Sequence, residues 1–178
     1  MNLANKLTML RVFLIPFFIF FLMTGICGEG GKWIALAIFI IASLTDLLDG
    51  QIARRKNMIT NFGKFMDPLA DKLLVCSAMI CFVELHRMPG WVAIVIIARE
   101  FIISGFRLIA AEQGRVIAAG WWGKFKTAFQ MFFVILMIVD IEALAVVTAV
   151  LMYTALALTI ISMVDYLVRN RDVMKEAA

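Results

Sequence analysis

Apolar residues run along this chain in long, nearly unbroken stretches, and polar residues gather in short clusters between them. An α-helix needs about 20 mostly apolar residues to cross the hydrocarbon of a bilayer. The runs predict six spans, near residues 9–27, 33–54, 66–86, 91–110, 121–140 and 144–167. Ahead of the first, Leu3, Leu7 and Leu10 share a helical face while Asn2, Asn5 and Lys6 lie off it. That pattern predicts a short helix lying in the membrane interface. Pro16 is tolerable within a membrane helix, whose neighbours can satisfy the backbone group it frees. The polar clusters supply the turns: Gly25 to Lys32, Arg55 to Asn61, and His86-Arg87-Met88-Pro89-Gly90. Trp33 and Trp91 follow two of these turns as interface anchors. Pro68 suits the first turn of the third helix, where a missing N–H costs little.

Composition narrows the class. With 178 residues of which 63% are hydrophobic, the chain carries more apolar surface than a soluble domain of this size can bury. The expected fold is all-α and integral to the membrane: a six-transmembrane-helix bundle with a short N-terminal interfacial helix, forming one domain over residues 1–178. Lys and Arg are distributed unevenly. Lys6, Arg54, Arg55, Lys56, Arg115 and Arg169 typify one side, whereas only Lys32 and Arg87 fall on the other and Arg99 lies inside a span. The positive-inside rule then puts both termini in the cytoplasm. The charge of +4 therefore belongs to a lipid bilayer boundary, and no nucleic acid polymer is expected as a partner. Lys6 and Arg11 ahead of an apolar run resemble the start of a signal peptide, but no small-residue cleavage site follows, so an uncleaved first helix is expected. Cys27, Cys76 and Cys81 are odd in number and sit among apolar residues, which predicts buried, inert thiols. His86 is expected to be a solvated loop residue.

The chemistry lies where charge interrupts the apolar runs. Asp46 and Asp49 are spaced i, i+3, and Asp67 and Asp71 i, i+4, so each pair shares a helical face. The short turn between their helices makes these antiparallel neighbours. Four carboxylates brought together repel one another unless a cation holds them. An all-oxygen donor set suits a hard divalent ion, Mg²⁺ with Mn²⁺ as an alternative. Four carboxylates exceed what one Mg²⁺ usually takes, which predicts two ions per site. Gly50 and Ala53 leave a slot on the same face, and Arg54 and Gly63 flank it, the arginine suited to a phosphate or an exocyclic carbonyl. In the fourth span Glu100, Ser104 and Arg107 form a stripe, with Arg99 about a quarter-turn away. An internal Glu–Arg pair tying helices together would be its plain structural use. In the fifth, Gly123, Lys126, Thr127 and Gln130 form another stripe, while Lys124 points elsewhere and can snorkel to headgroups. Arg107 and Lys126 offer charge for a second, anionic substrate. The sixth span, with only Asp165 and Tyr166 at its cytoplasmic end, reads as packing.

The pattern Asp46-x-x-Asp49-Gly50-x-x-Ala53-Arg54, followed by Gly63-x-x-x-Asp67-x-x-x-Asp71, resembles the signature of the CDP-alcohol phosphotransferases at every fixed position. Asn5-Lys6-Leu7-Thr8 through Arg11, Asp67-Pro68-Leu69-Ala70-Asp71-Lys72, Ala98-Arg99-Glu100, and Gly123-Lys124-Phe125-Lys126-Thr127 through Gln130 are similar to the branch whose acceptor is glycerol 3-phosphate. The resemblance implies that CDP-diacylglycerol and sn-glycerol 3-phosphate give phosphatidylglycerophosphate and CMP. It also implies a bacterial-type cytoplasmic membrane, a site facing the cytoplasm, and a homodimer. By position, Asp46, Asp49 and Asp67 would hold the metals, while Asp71 would join the second metal and act as general base. Asp49, Gly50, Ala53, Arg54 and Gly63 would cradle the cytidine diphosphate. Arg107 and Lys126, with Lys124 and Arg99, are the candidates for the acceptor phosphate. Three other readings stay open at this level. The acceptor could be serine, an inositol phosphate or phosphatidylglycerol. The chain could be a membrane prenyltransferase with an Asp-rich pyrophosphate site, although those lack the Gly50-x-x-Ala53-Arg54 element. The carboxylates could also line a cation channel or transporter, although they cluster at one face of the bilayer.

Overall fold

The computed structural model describes the backbone of residues 3–56, 61–112 and 120–171, and the side chains of these apart from 3–6, 46–56, 61–68, 71 and 112. Helix is the only regular structure among the described residues: α1 (Leu3–Thr24), α2 (Glu29–Lys56), α3 (Asn61–Glu84), α4 (Gly90–Glu112), α5 (Trp121–Val139) and α6 (Ala145–Arg169), the last preceded by a 3-10 turn at Glu142–Leu144. The six helices overlap the six apolar stretches one to one. Three stretches, Leu7–Thr24, Trp121–Val139 and Glu142–Arg169, are long and apolar enough to cross a membrane by length and composition. The other helices interrupt their apolar runs with charge, Arg99, Glu100 and Arg107 in α4 among them.

The chain divides into two compact units, one of Met1–Met88 with Met137–Val139 and one of Pro89–Leu136 with Asp140–Ala178. In the first, α1 packs on both α2 and α3, and α2 touches α3. The separate interfacial helix expected before the first span is not formed: α1 is a single helix from Leu3. The cause is visible in what it buries. Thr8, Arg11, Ile15, Phe18 and Leu22 are all buried at spacings of three and four, so one stripe continues through both segments. Leu10, on the supposed interfacial face, is exposed. On α2 the matching stripe is Gly31, Ala35, Phe39 and Ala42. Small residues at four-residue spacing let membrane helices approach closely. A Cβ on Gly31 would sit 3.1 Å from the Phe21 carbonyl oxygen of α1. The Phe18 and Phe39 rings meet with centroids 5.8 Å apart.

Turn chemistry explains where helices stop. Gly25 (φ 61°) and Gly28 (φ 53°) adopt left-handed backbone that glycine enters without strain. The Gly28 N–H donates to the Gly25 carbonyl at 2.8 Å, closing the turn before α2. Cys27 lies in this turn and is exposed, which corrects the expectation of three buried thiols; Cys76 and Cys81 are buried as expected. The apolar neighbours of Cys27 in sequence are turn and helix-end residues, so they supply no core around it. Pro68 also departs from expectation, lying well inside α3 because that helix begins at Asn61. After α3, His86 is exposed and left-handed (φ 57°), and the Arg87 N–H returns to the Phe82 carbonyl at 2.9 Å.

In the second unit α4 packs on α6. Ile103, Phe106, Ala110 and Tyr166 form one buried cluster, with Met163 and Leu167 against it. Trp91 and Tyr153 meet further along the same pair of helices, ring centroids 6.4 Å apart. Large apolar side chains nonetheless stand exposed on many faces, including Phe13 at 62%, Ile94 at 68% and Val146 at 76%. Water would penalise such a surface, whereas lipid accepts it. The chain is a membrane protein.

Candidate functional site

The signature is divided between two consecutive helices of the first unit. Asp46, Asp49, Gly50, Ala53 and Arg54 occupy the C-terminal end of α2, and Gly63, Asp67 and Asp71 the N-terminal half of α3. Their side chains, glycines aside, fall outside the described residues. No group of three or more metal-ligating side chains occurs among the described residues. The donor set itself fits a hard divalent cation: four aspartates, all oxygen, on two helices that touch.

The ground just before Asp46 is described in detail. Arg11 of α1 is 1% exposed, and its Nε donates to the Ala42 carbonyl of α2 at 3.2 Å. Thr45 Oγ1 donates to the same oxygen at 2.9 Å and to the Ile41 carbonyl at 2.6 Å. Ala42 lies one helical turn before Asp46, so α1 fixes α2 where its apolar run gives way to the carboxylates. On α3, Ala70 and Leu74 bury the stripe on either side of Asp71, while Leu69 and Leu73 face outward.

The basic candidates for the acceptor phosphate all belong to the second unit, and they are held in different ways. Glu100 of α4 is the hub of one group. Its Oε1 accepts from Lys126 Nζ of α5 and from Arg99 Nη1 at 3.3 Å. Arg99 Nη2 reaches across to Ser162 Oγ of α6 at 3.0 Å, and Ser162 Oγ donates to the Thr159 carbonyl at 3.0 Å. Among the described residues, the Arg99 Nε is buried with no hydrogen-bond partner, as is the Oε1 of Gln130, one turn along α5 from Lys126. Among the described residues, two cations thus meet at one carboxylate. Ser104 Oγ turns back to the Glu100 carbonyl. The plain use of the α4 stripe thus occurs with different partners: Glu100 pairs with Arg99 and Lys126, not with Arg107.

Arg107 is exposed and lies against Tyr166 of α6, its Nε donating to the phenol oxygen at 3.3 Å and its guanidinium carbon 5.6 Å from the ring centroid. Lys124 is also exposed, its Nζ 4.6 Å from the centre of the Trp121 ring. On the α5 stripe Lys126 and Gln130 are buried, whereas Thr127 is exposed and donates to the Gly123 carbonyl at 3.0 Å.

Two residues of this network escape a reading of the sequence. Ser162 and Tyr166 belong to α6, which reads as packing, yet both bind an arginine of α4. The available signal is their spacing: Thr159, Ser162 and Tyr166 recur at three and four residues, and all three are buried.

Comparison with known proteins agrees over nearly the whole length. Residues 1–161 match the family described as CDP-alcohol phosphatidyltransferase. A Bacillus subtilis (strain 168) protein named CDP-diacylglycerol–glycerol-3-phosphate 3-phosphatidyltransferase is 39% identical, over 98% of this chain and 97% of its own. Proteins with the same name from Haemophilus influenzae and Escherichia coli (strain K12) are 42% and 44% identical, over 93% and 73% of this chain and 91% and 72% of theirs.

Proposed function

We propose that this chain, which belongs to the CDP-alcohol phosphatidyltransferase family, transfers a phosphatidyl group from CDP-diacylglycerol to sn-glycerol 3-phosphate, giving phosphatidylglycerophosphate and CMP. The observation that carries this reading is that the complete signature falls on the adjoining ends of two helices in contact, α2 and α3. The shared name of the relatives supports the choice of donor and acceptor.

In the reaction, a glycerol hydroxyl attacks the phosphorus that bears the diacylglycerol. A new P–O bond forms, the P–O bond to CMP breaks, and CMP leaves with the bridging oxygen. A hydroxyl ionises far above neutral pH, so its proton must be removed as it attacks. Asp71 takes that proton. Asp46, Asp49, Asp67 and Asp71 would hold two divalent ions, Mg²⁺ or Mn²⁺, which when bound would neutralise the charge of the pyrophosphate and of the departing CMP. Asp49, Gly50, Ala53, Arg54 and Gly63 receive the cytidine diphosphate, the small residues admitting it close to α2. Arg107 and Lys126, with Arg99 and Lys124, receive the acceptor phosphate. The gathering of Arg99 and Lys126 at Glu100 and the exposed guanidinium of Arg107 support that role.

The chain acts as one membrane domain over residues 1–178, with six spans and both termini in the cytoplasm. It works as a homodimer in a bacterial cytoplasmic membrane, its site open to the cytoplasm. The excess of Lys and Arg in alternate loops supports this orientation.

The test is CMP release by the purified protein in mixed micelles with CDP-diacylglycerol. Release should require both a divalent cation and glycerol 3-phosphate. Asp71→Asn should abolish turnover while nucleotide binding survives. Equal release with serine or an inositol phosphate would overturn the acceptor, and unimpaired turnover of Asp71→Asn would remove it as the base.

A further inference from the structure

Of the four basic candidates, Arg107 and Lys124 have no carboxylate against them among the described residues, and of these two only Arg107 is held by a hydrogen bond as well as by an aromatic ring. Lys126 and Arg99 both spend hydrogen bonds on Glu100. Arg107 instead gives its Nε to a phenol oxygen and lays its guanidinium by the same ring. No other hydrogen bond or ion pair engages it among the described residues, so the N–H groups of Nη1 and Nη2 remain available. Those two nitrogens form the outer fork of a guanidinium, which matches two oxygens of a phosphate.

The ring beneath it cannot swing away. Tyr166 is 6% exposed. It meets the Phe106 ring in a T-shaped contact, centroids 5.7 Å apart at 78°. Ile103 and Ala110 complete the buried cluster, and Met163 and Leu167 close it on α6. A flexible, exposed arginine on α4 is thereby tied to a fixed aromatic on α6. Ordering such a side chain ahead of binding removes a cost that the ligand would otherwise bear.

We propose that Tyr166 is a positioning residue for the acceptor: by holding the Nε edge of Arg107, it aims the free guanidinium fork at the phosphate monoester of the incoming alcohol and so favours phosphorylated over neutral acceptors. This rests on the reading of Arg107 as an acceptor-phosphate ligand, and the experiment separates the two. Initial rates of CMP release are measured against glycerol 3-phosphate at saturating CDP-diacylglycerol for Arg107→Ala, Tyr166→Phe, Tyr166→Leu, and Arg107→Ala combined with Tyr166→Phe. Tyr166→Phe keeps the ring and the core and loses only the hydrogen bond; it should raise the KM for glycerol 3-phosphate about threefold, with kcat within about twofold. Tyr166→Leu loses the ring as well, and the rise should reach roughly tenfold. Arg107→Ala should raise the same KM by about 30-fold or more. The KM for CDP-diacylglycerol should stay unchanged in all of them.

The combined variant decides whether Tyr166 acts through Arg107. Once Arg107 is gone, Tyr166→Phe should add nothing to the KM. If it adds the same factor in both backgrounds, or if Tyr166→Phe and Tyr166→Leu leave the KM unchanged while Arg107→Ala raises it, the positioning role is overturned and the ligand role of Arg107 stands. If Arg107→Ala itself leaves the KM unchanged, the ligand role falls and the positioning role falls with it.

Discussion

A cation buried away from water is strongly destabilising unless an anion meets it, and removing the anion alone is worse than removing both. Lys126 is 3% exposed, and Glu100 lies against its ammonium. Glu100→Gln should therefore lower the unfolding free energy by about 3–5 kcal/mol, seen as a fall in Tm in detergent micelles. Adding Lys126→Met should restore most of the loss. An unchanged Tm for Glu100→Gln would mean that the cations are held by other groups. At this scale the sequence was only partly legible. Helical spacing put Glu100, Ser104 and Arg107 on one face, but spacing along one helix says nothing about which residue of the next helix arrives opposite. Glu100 consequently meets Lys126, and Arg107 meets Tyr166. Tyr166 stands at the end of a span that reads as packing, so its partner on α4 was not legible.

Between elements, the close fit of α1 on α2 depends on position 31. A Cβ there would press within 3.1 Å of a backbone oxygen, which cannot rotate out of the way. Gly31→Ala should be mildly destabilising and Gly31→Leu more so, by about 1–3 kcal/mol, with the order read from thermal unfolding. A Gly31→Leu protein as stable as the parent would show that α1 and α2 can separate freely. Helix limits were largely readable, because Gly25, Gly28 and the His86 to Gly90 run carry recognisable turn chemistry. The packing faces were not. A membrane helix is apolar on every side, so hydrophobicity no longer distinguishes inside from outside. In α1 the polar residues mark the buried face: Thr8 and Arg11 are buried, while Leu10 and Phe13 point outward. That inversion is why the leucine face suggested a separate interfacial helix. The four aspartates and their spacing, by contrast, stood out in sequence, since charge within apolar runs is rare and usually functional.

For the molecule as a whole, the testable quantity is sidedness. Cys27 is exposed in the α1–α2 turn, whereas Cys76 and Cys81 are buried. In the proposed orientation, with both termini cytoplasmic, that turn faces outward. A membrane-impermeant thiol reagent should label Cys27 in intact spheroplasts and label neither of the other two. Labelling of Cys27 only from the cytoplasmic face of inverted vesicles would reverse the orientation.

The Glu100 network also bears on the order in which the protein is made. Lys126 follows Glu100 by 26 residues, and Ser162 follows Arg99 by 63. In the proposed six-span topology α4 enters the bilayer carrying Arg99, Glu100 and Arg107 before the α5 and α6 groups that later bond to them have been synthesised. A charge at the centre of an isolated helix opposes insertion by about 2.5–3.5 kcal/mol. The fourth helix is thus least secure at the moment of its own synthesis, and gains its hydrogen-bonded partners only as the last third of the chain emerges. Assembly of this unit is governed from its C-terminal end.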